Sequence, residues 1–116
     1  MKVVRIYTGP DKKSHFEDVK LPFAPGGESE ATPLQGAKVV RFNRYQPGYR
    51  QEWHCAPQRQ YVVTLAGQAE IEIGDGTVRH FSEGDVLLAE DITGQGHITR
   101  VVGDRVRVTM WIALEG

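Results

Sequence analysis

Cysteine is almost missing from this 116-residue chain: Cys55 stands alone, so no disulfide can close within it and stability must come from a packed core. No apolar run approaches the roughly 18 residues that a membrane-crossing helix needs. The N-terminal MKVVRIYTG has neither the apolar stretch nor the small-residue cleavage site of a secretory leader. These absences set the expectation of a cytoplasmic protein with no membrane partner. An excess of either charge is also missing. The 14 basic and 15 acidic residues give a formal net charge of -1, and neither sign gathers into a block, which argues against nucleic acid as a partner. Helical spacing is absent as well, since no window repeats apolar residues at i, i+3, i+4 and i+7. The length fits one domain over residues 1–116.

What the chain does have is a period of two. Ala69, Ile71 and Ile73 alternate with Gln68, Glu70 and Glu72, and Gly74-Asp75-Gly76 supplies a tight turn before Thr77–Phe81, which predicts a hairpin. From Arg105 to Leu114, Val106, Val108, Met110, Ile112 and Leu114 alternate with Arg105, Arg107 and Thr109, and the apolar set reads as the buried face. Further runs over 2–8, 15–21, 37–45, 49–54, 60–66, 85–90 and 97–102 are set apart by Gly, Pro or Asp at short intervals, the spacing of a sandwich or barrel. Tyr61–Leu65 and Val86–Ala89 are apolar on both strand faces, so each needs a second cover, and a partner subunit in a homodimer is the simplest one. Leu21–Gly36, rich in Pro, Gly and acidic residues, is the one long loop. It is either a crossover between strands or a flap over a pocket mouth.

One spacing carries chemistry. From Gly48 the chain runs through five residues to His54, one to Ala56, three to Gln60 and six to Gly67. This resembles the first motif of the cupin superfamily, in which glycine and H-x-H are followed by a glutamate and a second glycine. Gly84-Asp85-Val86-Leu87-Leu88-Ala89, leading through Glu90-Asp91-Ile92-Thr93-Gly94-Gln95-Gly96 to His97, is similar to the second. The likeness spans Gly48 to about Arg100, and it is nearer still to small single-domain cupins with segments such as W-H-x-A-P-x-R-Q-Y-V-V-T-L-x-G. It implies an all-β double-stranded β-helix, the jelly-roll cupin barrel, holding a small molecule. Two of the family's four ligand positions are not met: Ala56 stands for a histidine and Gln60 for the glutamate.

Residues two apart on a strand face the same way, so a grip on a ligand requires His54, Ala56 and Gln60 to point into the barrel. Imidazole suits Zn, Ni, Mn or Fe, the amide oxygen of Gln60 is a weak neutral donor, and Ala56 offers nothing. With His97 as a second imidazole, the set His54, Gln60 and His97 would hold a divalent ion weakly, with water completing its shell. Arg50 shares strand parity with His54 and is a candidate for binding carboxylate or phosphate. Glu90 and Asp91 are candidates for a general base or a partner of His97 or Arg100, and equally for turn residues. Cys55, next to His54, falls on the opposite strand face as an inert thiol. Tyr49 and Trp53 pack outside the barrel, and His15 and His80 are solvated. Two functions follow: a small-molecule enzyme using His54 and His97 as ligands or acid–base groups, or a cupin that binds or senses a ligand without converting it.

Overall fold

The computed structural model describes all 116 residues and contains ten strands and no helix. They are β1 (Val3–Thr8), β2 (Ser14–Val19), β3 (Ala37–Tyr45), β4 (Arg50–His54), β5 (Gln60–Ala66), β6 (Gln68–Glu72), β7 (Val78–Phe81), β8 (Val86–Glu90), β9 (His97–Val102) and β10 (Arg107–Leu114). A six-stranded sheet in the order β2-β1-β8-β5-β10-β3 faces a four-stranded sheet in the order β4-β9-β6-β7. All pairs are antiparallel except β1 with β8. No helix is long and apolar enough to cross a membrane.

The predicted hairpin forms. Glu72 lies opposite Val78, the Ile73 N–H bonds to the Thr77 carbonyl, and Gly76 takes the positive φ that the turn requires. Ala69, Ile71 and Ile73 are buried as their period required. The two inner faces meet in a core that includes Val4, Ile6, Val62, Ile71, Phe81 and Leu87.

β10 overturns the reading of its alternation. Arg107, Thr109 and Ala113 are buried in the barrel, while Val106, Val108, Met110 and Ile112 are only half-buried on the outer face. The reason is position: β10 lies between β5 and β3 in the larger sheet, whose outer face is itself apolar, so hydrophobicity alone does not say which side is the lumen. The Leu21–Gly36 loop is a crossover that joins β2 on one edge of that sheet to β3 on the other. Leu21, Pro22 and Pro33 border a groove against Val63, Val86 and Ile112, and the Tyr61 hydroxyl donates to Gln35 Oε1 at 2.6 Å. The loop therefore runs beside the outer sheet face instead of forming a flap over the barrel mouth.

Asp85 closes the turn that leads into β8. Its Oδ2 accepts from the N–H and hydroxyl of Ser82 at 2.9 and 3.2 Å, and Oδ1 from the Lys2 N–H at 3.1 Å. Burial alone would raise its carboxyl, but these donors outweigh burial and hold it below the usual carboxylate range. With the folded-state value below the unfolded one, the contribution is complete above the unfolded pKa and is lost as pH falls through the folded one. Asp85→Ala is expected to lower stability by about 1–3 kcal/mol at neutral pH. Urea unfolding repeated below about pH 4 should show that deficit shrinking.

Candidate functional site

Between the sheets lies a cavity of about 220 Å³. One wall comes from β4 and β9 of the smaller sheet. His54 and His97 are cross-strand partners there, and their rings meet edge to face with centroids 4.4 Å apart. Gly96, at a positive φ of 76°, makes the approach possible, because a side chain at that position would fall on the carbonyl of His54. His54 Nδ1 donates to the Glu52 carbonyl at 2.7 Å, leaving Nε2 as its basic nitrogen. Burial pushes the His54 imidazole below its ordinary pKa, against the smaller raising effect of that carbonyl, so the ring is neutral at pH 7.

His97 is held from behind. Its Nδ1 lies 2.6 Å from Asp91 Oδ2, which also accepts from the Ser14 hydroxyl at 2.7 Å. Asp91 has no exposed surface, and its carbonyl takes the N–H of Ala56. The carboxylate fixes which ring nitrogen of His97 carries the proton and turns Nε2 away from it.

The facing wall belongs to the larger sheet. Gln60 and Val62 of β5, Leu87 and Ala89 of β8, and Arg107 and Trp111 of β10 line it. Two atoms of these lining residues are buried without a hydrogen-bond partner, Gln60 Oε1 and Arg107 Nε. Ala56 also borders the cavity, with only a methyl group to offer it.

His54, Gln60 and His97 thus meet at one cavity, with Asp91 behind His97. Arg50 and Glu90 do not join them. A β-bulge between Gln51 and His54 breaks the alternation of β4. The bulge brings Gln51 to the cavity and leaves Arg50 exposed, paired with Glu52 at 2.6 Å. Glu90 forms ion pairs with Arg5 and Arg59 instead; its parity along β8 is opposite to that of Leu87 and Ala89, which face the lumen. Cys55 lies beyond the end of β4, where alternation no longer holds. It borders the cavity, and its thiol donates to the Gly94 carbonyl at 3.2 Å. Burial and, less strongly, the Asp91 charge raise that thiol, which keeps it protonated and a poor nucleophile.

No group of three His, Cys, Asp or Glu side chains is placed to share an ion. The donors that fit one are two imidazoles with free Nε2 atoms and the bare Oε1 of Gln60, a neutral set that would leave coordination positions to water. Asp91, the carboxylate close by, does not line the cavity; its Oδ2 is engaged by His97 and Ser14, and its Oδ1 is buried without a partner.

No family model matches the chain. Over 55 residues it is 33% identical to the oryzines biosynthesis cluster protein J of Aspergillus oryzae, a stretch covering 47% of this chain and 31% of that protein. Among solved structures, a cupin domain from Bordetella pertussis Tohama I superposes with a TM-score of 0.53 at 19% identity, covering 72% of this chain and 93% of that one. A double-stranded β-helix protein from Klebsiella pneumoniae gives 0.53 at 21% identity, covering 80% and 83%. The fold is therefore an all-β jelly roll of the cupin type. Within this fold the lumen is lined on the smaller sheet by two imidazoles, His54 and His97.

Because burial is the main cause of the depressed His54 pKa, titration followed by imidazole NMR should place His54 below the ordinary value of about 6.5. Gly96→Ala pushes β9 away from β4. It is expected to abolish the nuclear Overhauser contact between the two rings and to move the His54 titration back toward that value.

Proposed function

We propose that the barrel is a small-molecule pocket in which His54 and His97 transfer protons, as acid and base, to a bound organic substrate. The observation that carries this reading is the Asp91–His97 hydrogen bond of 2.6 Å at a position with no solvent exposure, beside the neutral ring of His54. A carboxylate that orients an imidazole and offsets the charge it would carry once protonated suits His97 to be the acid, returning to the substrate the proton that His54 takes as base. Neutral His54 has a lone pair at Nε2 and a fixed proton at Nδ1, so it is prepared to accept a proton. Apolar Val62, Leu87 and Trp111 make up much of the wall that faces the two rings.

The bare Oε1 of Gln60 favours a second reading, in which His54, Gln60 and His97 hold a divalent ion. Such an ion would supply Lewis acidity toward an oxygen of the ligand. A binding or sensing cupin would use the same pocket without conversion.

Mass spectrometry of whatever the purified protein carries, followed by incubation of that compound with the protein, separates these readings. Conversion that falls about 10²–10⁴-fold in His97→Gln and in His54→Gln, with the compound still bound, is the expected result. Compound retained but never converted means a binding module. Unchanged conversion in both variants removes the imidazoles from the chemistry. If an ion is part of the site, elemental analysis will find it in the wild type, reduced in His54→Ala and His97→Ala but not in His80→Ala.

We also propose that a second copy of the chain covers the outer face of the larger sheet. Val40, Phe42 and Leu65 are left well exposed on β3 and β5 beyond the Leu21–Gly36 loop. Sedimentation at micromolar concentration is expected to give a dimer, and Phe42→Glu to shift it to the monomer.

A further inference from the structure

Arg107 brings a positive charge into the cavity, and the protein offers it no negative one. The residue is 5% exposed and lines the lumen. None of the molecule's ion pairs includes it. One guanidinium nitrogen, Nη2, donates to Thr64 Oγ1 at 3.1 Å, while Nε is buried without an acceptor. Arginines this deep are almost always paired, because a desolvated charge without a counter-charge opposes folding. Burial lowers its pKa to about 10, against the small opposing effect of Tyr45. The group nonetheless remains charged at neutral pH.

We propose that Arg107 anchors a carboxylate of the pocket's ligand, making that ligand a small organic acid. This rests on the reading of the lumen as a small-molecule pocket. A planar fork of N–H donors matches the two oxygens of a carboxylate, and Nε, the atom lacking a partner, is one tine of that fork. Thr109 is buried on the same face of β10. Phosphate fits less well. It carries close to two charges at neutral pH, whereas the cavity offers one guanidinium, a neutral His54 and a His97 already engaged by Asp91. At about 220 Å³ the space is smaller than the roughly 300–1,000 Å³ of sites for drug-sized ligands, which limits the acid to a few carbons or one ring. The acid would lie between the anchor on the larger sheet and the imidazoles on the smaller one, so its carboxylate would be held apart from the atom that gains or loses a proton.

The test is thermal unfolding of the whole protein with millimolar acetate, butyrate or benzoate, with the amide of each, and with inorganic phosphate. The wild type, Arg107→Met and Arg107→Lys are compared, with His54 and His97 imidazole NMR as a second readout. At least one acid should raise the wild-type midpoint and its amide should not. Arg107→Met should weaken that acid by at least about tenfold while melting, without ligand, no lower than the wild type. Amides acting as strongly as acids, or an acid effect surviving intact in Arg107→Met, would overturn the anchor and leave the pocket reading standing. Phosphate acting more strongly than every acid would overturn the carboxylate assignment. No effect of acids or amides on either the midpoint or the imidazoles would overturn the anchor and the pocket reading together. Should Arg107→Met fail to fold, Arg107→Lys decides, since it keeps the charge and loses the fork. A weakened acid effect supports the proposal, and an undiminished one overturns it.

Discussion

A carboxylate with no exposed surface ties four parts of this chain together. Asp91 takes the hydroxyl of Ser14 at the start of β2 and the ring of His97 at the start of β9. Through its own carbonyl it also takes the N–H of Ala56 in the β4–β5 connection. It follows directly on β8, so the lumen end of that strand is fixed to both sheets at once. Oδ1 of the same group is buried without a partner, so removing either partner of Oδ2 would leave the buried carboxyl with still fewer hydrogen bonds, which is far more costly than never having buried it. The imidazole wall therefore depends on a group that never touches the cavity.

The two sheets divide the chemistry between them. The smaller one contributes proton-accepting nitrogens, set close by a glycine that lets backbone approach backbone. The larger one contributes an apolar lining interrupted by Gln60 and Arg107, in each of which one buried atom, Oε1 and Nε, is left without a partner. Buried polar atoms without partners are rare in folded proteins, and several around one cavity mean that the fold tolerates local cost at this place.

Most of the strand layout was legible in the sequence because alternation and glycine punctuation report directly on pleat and turn. The runs at 37–45, 60–66 and 97–102 coincide with β3, β5 and β9. His54, Gln60 and His97 were legible through motif spacing, and the lumen does bring them together. Arg50 was not, because its placement assumed unbroken alternation and a bulge leaves no mark in residue type. Glu90 was ambiguous from its neighbour Asp91, since adjacent strand-end acids point oppositely and nothing local says which turns inward. Arg107 was visible but assigned to the wrong side. Its strand is amphipathic in a sheet with two apolar faces, and only the tertiary arrangement decides which face encloses space. A signal did exist: Arg107 and Thr109 share parity with Trp111 and Ala113, so the polar stripe continues into an apolar one.

The parallel pairing of β1 with β8 sets Val3 opposite Val86, and that separation has a consequence for biosynthesis. Because chains emerge in order, at about 5–20 residues per second, β1 can pair with β2 almost at once but waits roughly 4–16 s for β8 to be made. Throughout that interval one edge of a two-stranded ribbon bearing Val4 and Ile6 is open to any other extended segment. A lone ribbon is only marginally stable in water, and the contact that closes it is among the most distant in the chain, the kind that slows folding. Much of the exposure to misassembly therefore falls on the nascent chain, before the cavity exists.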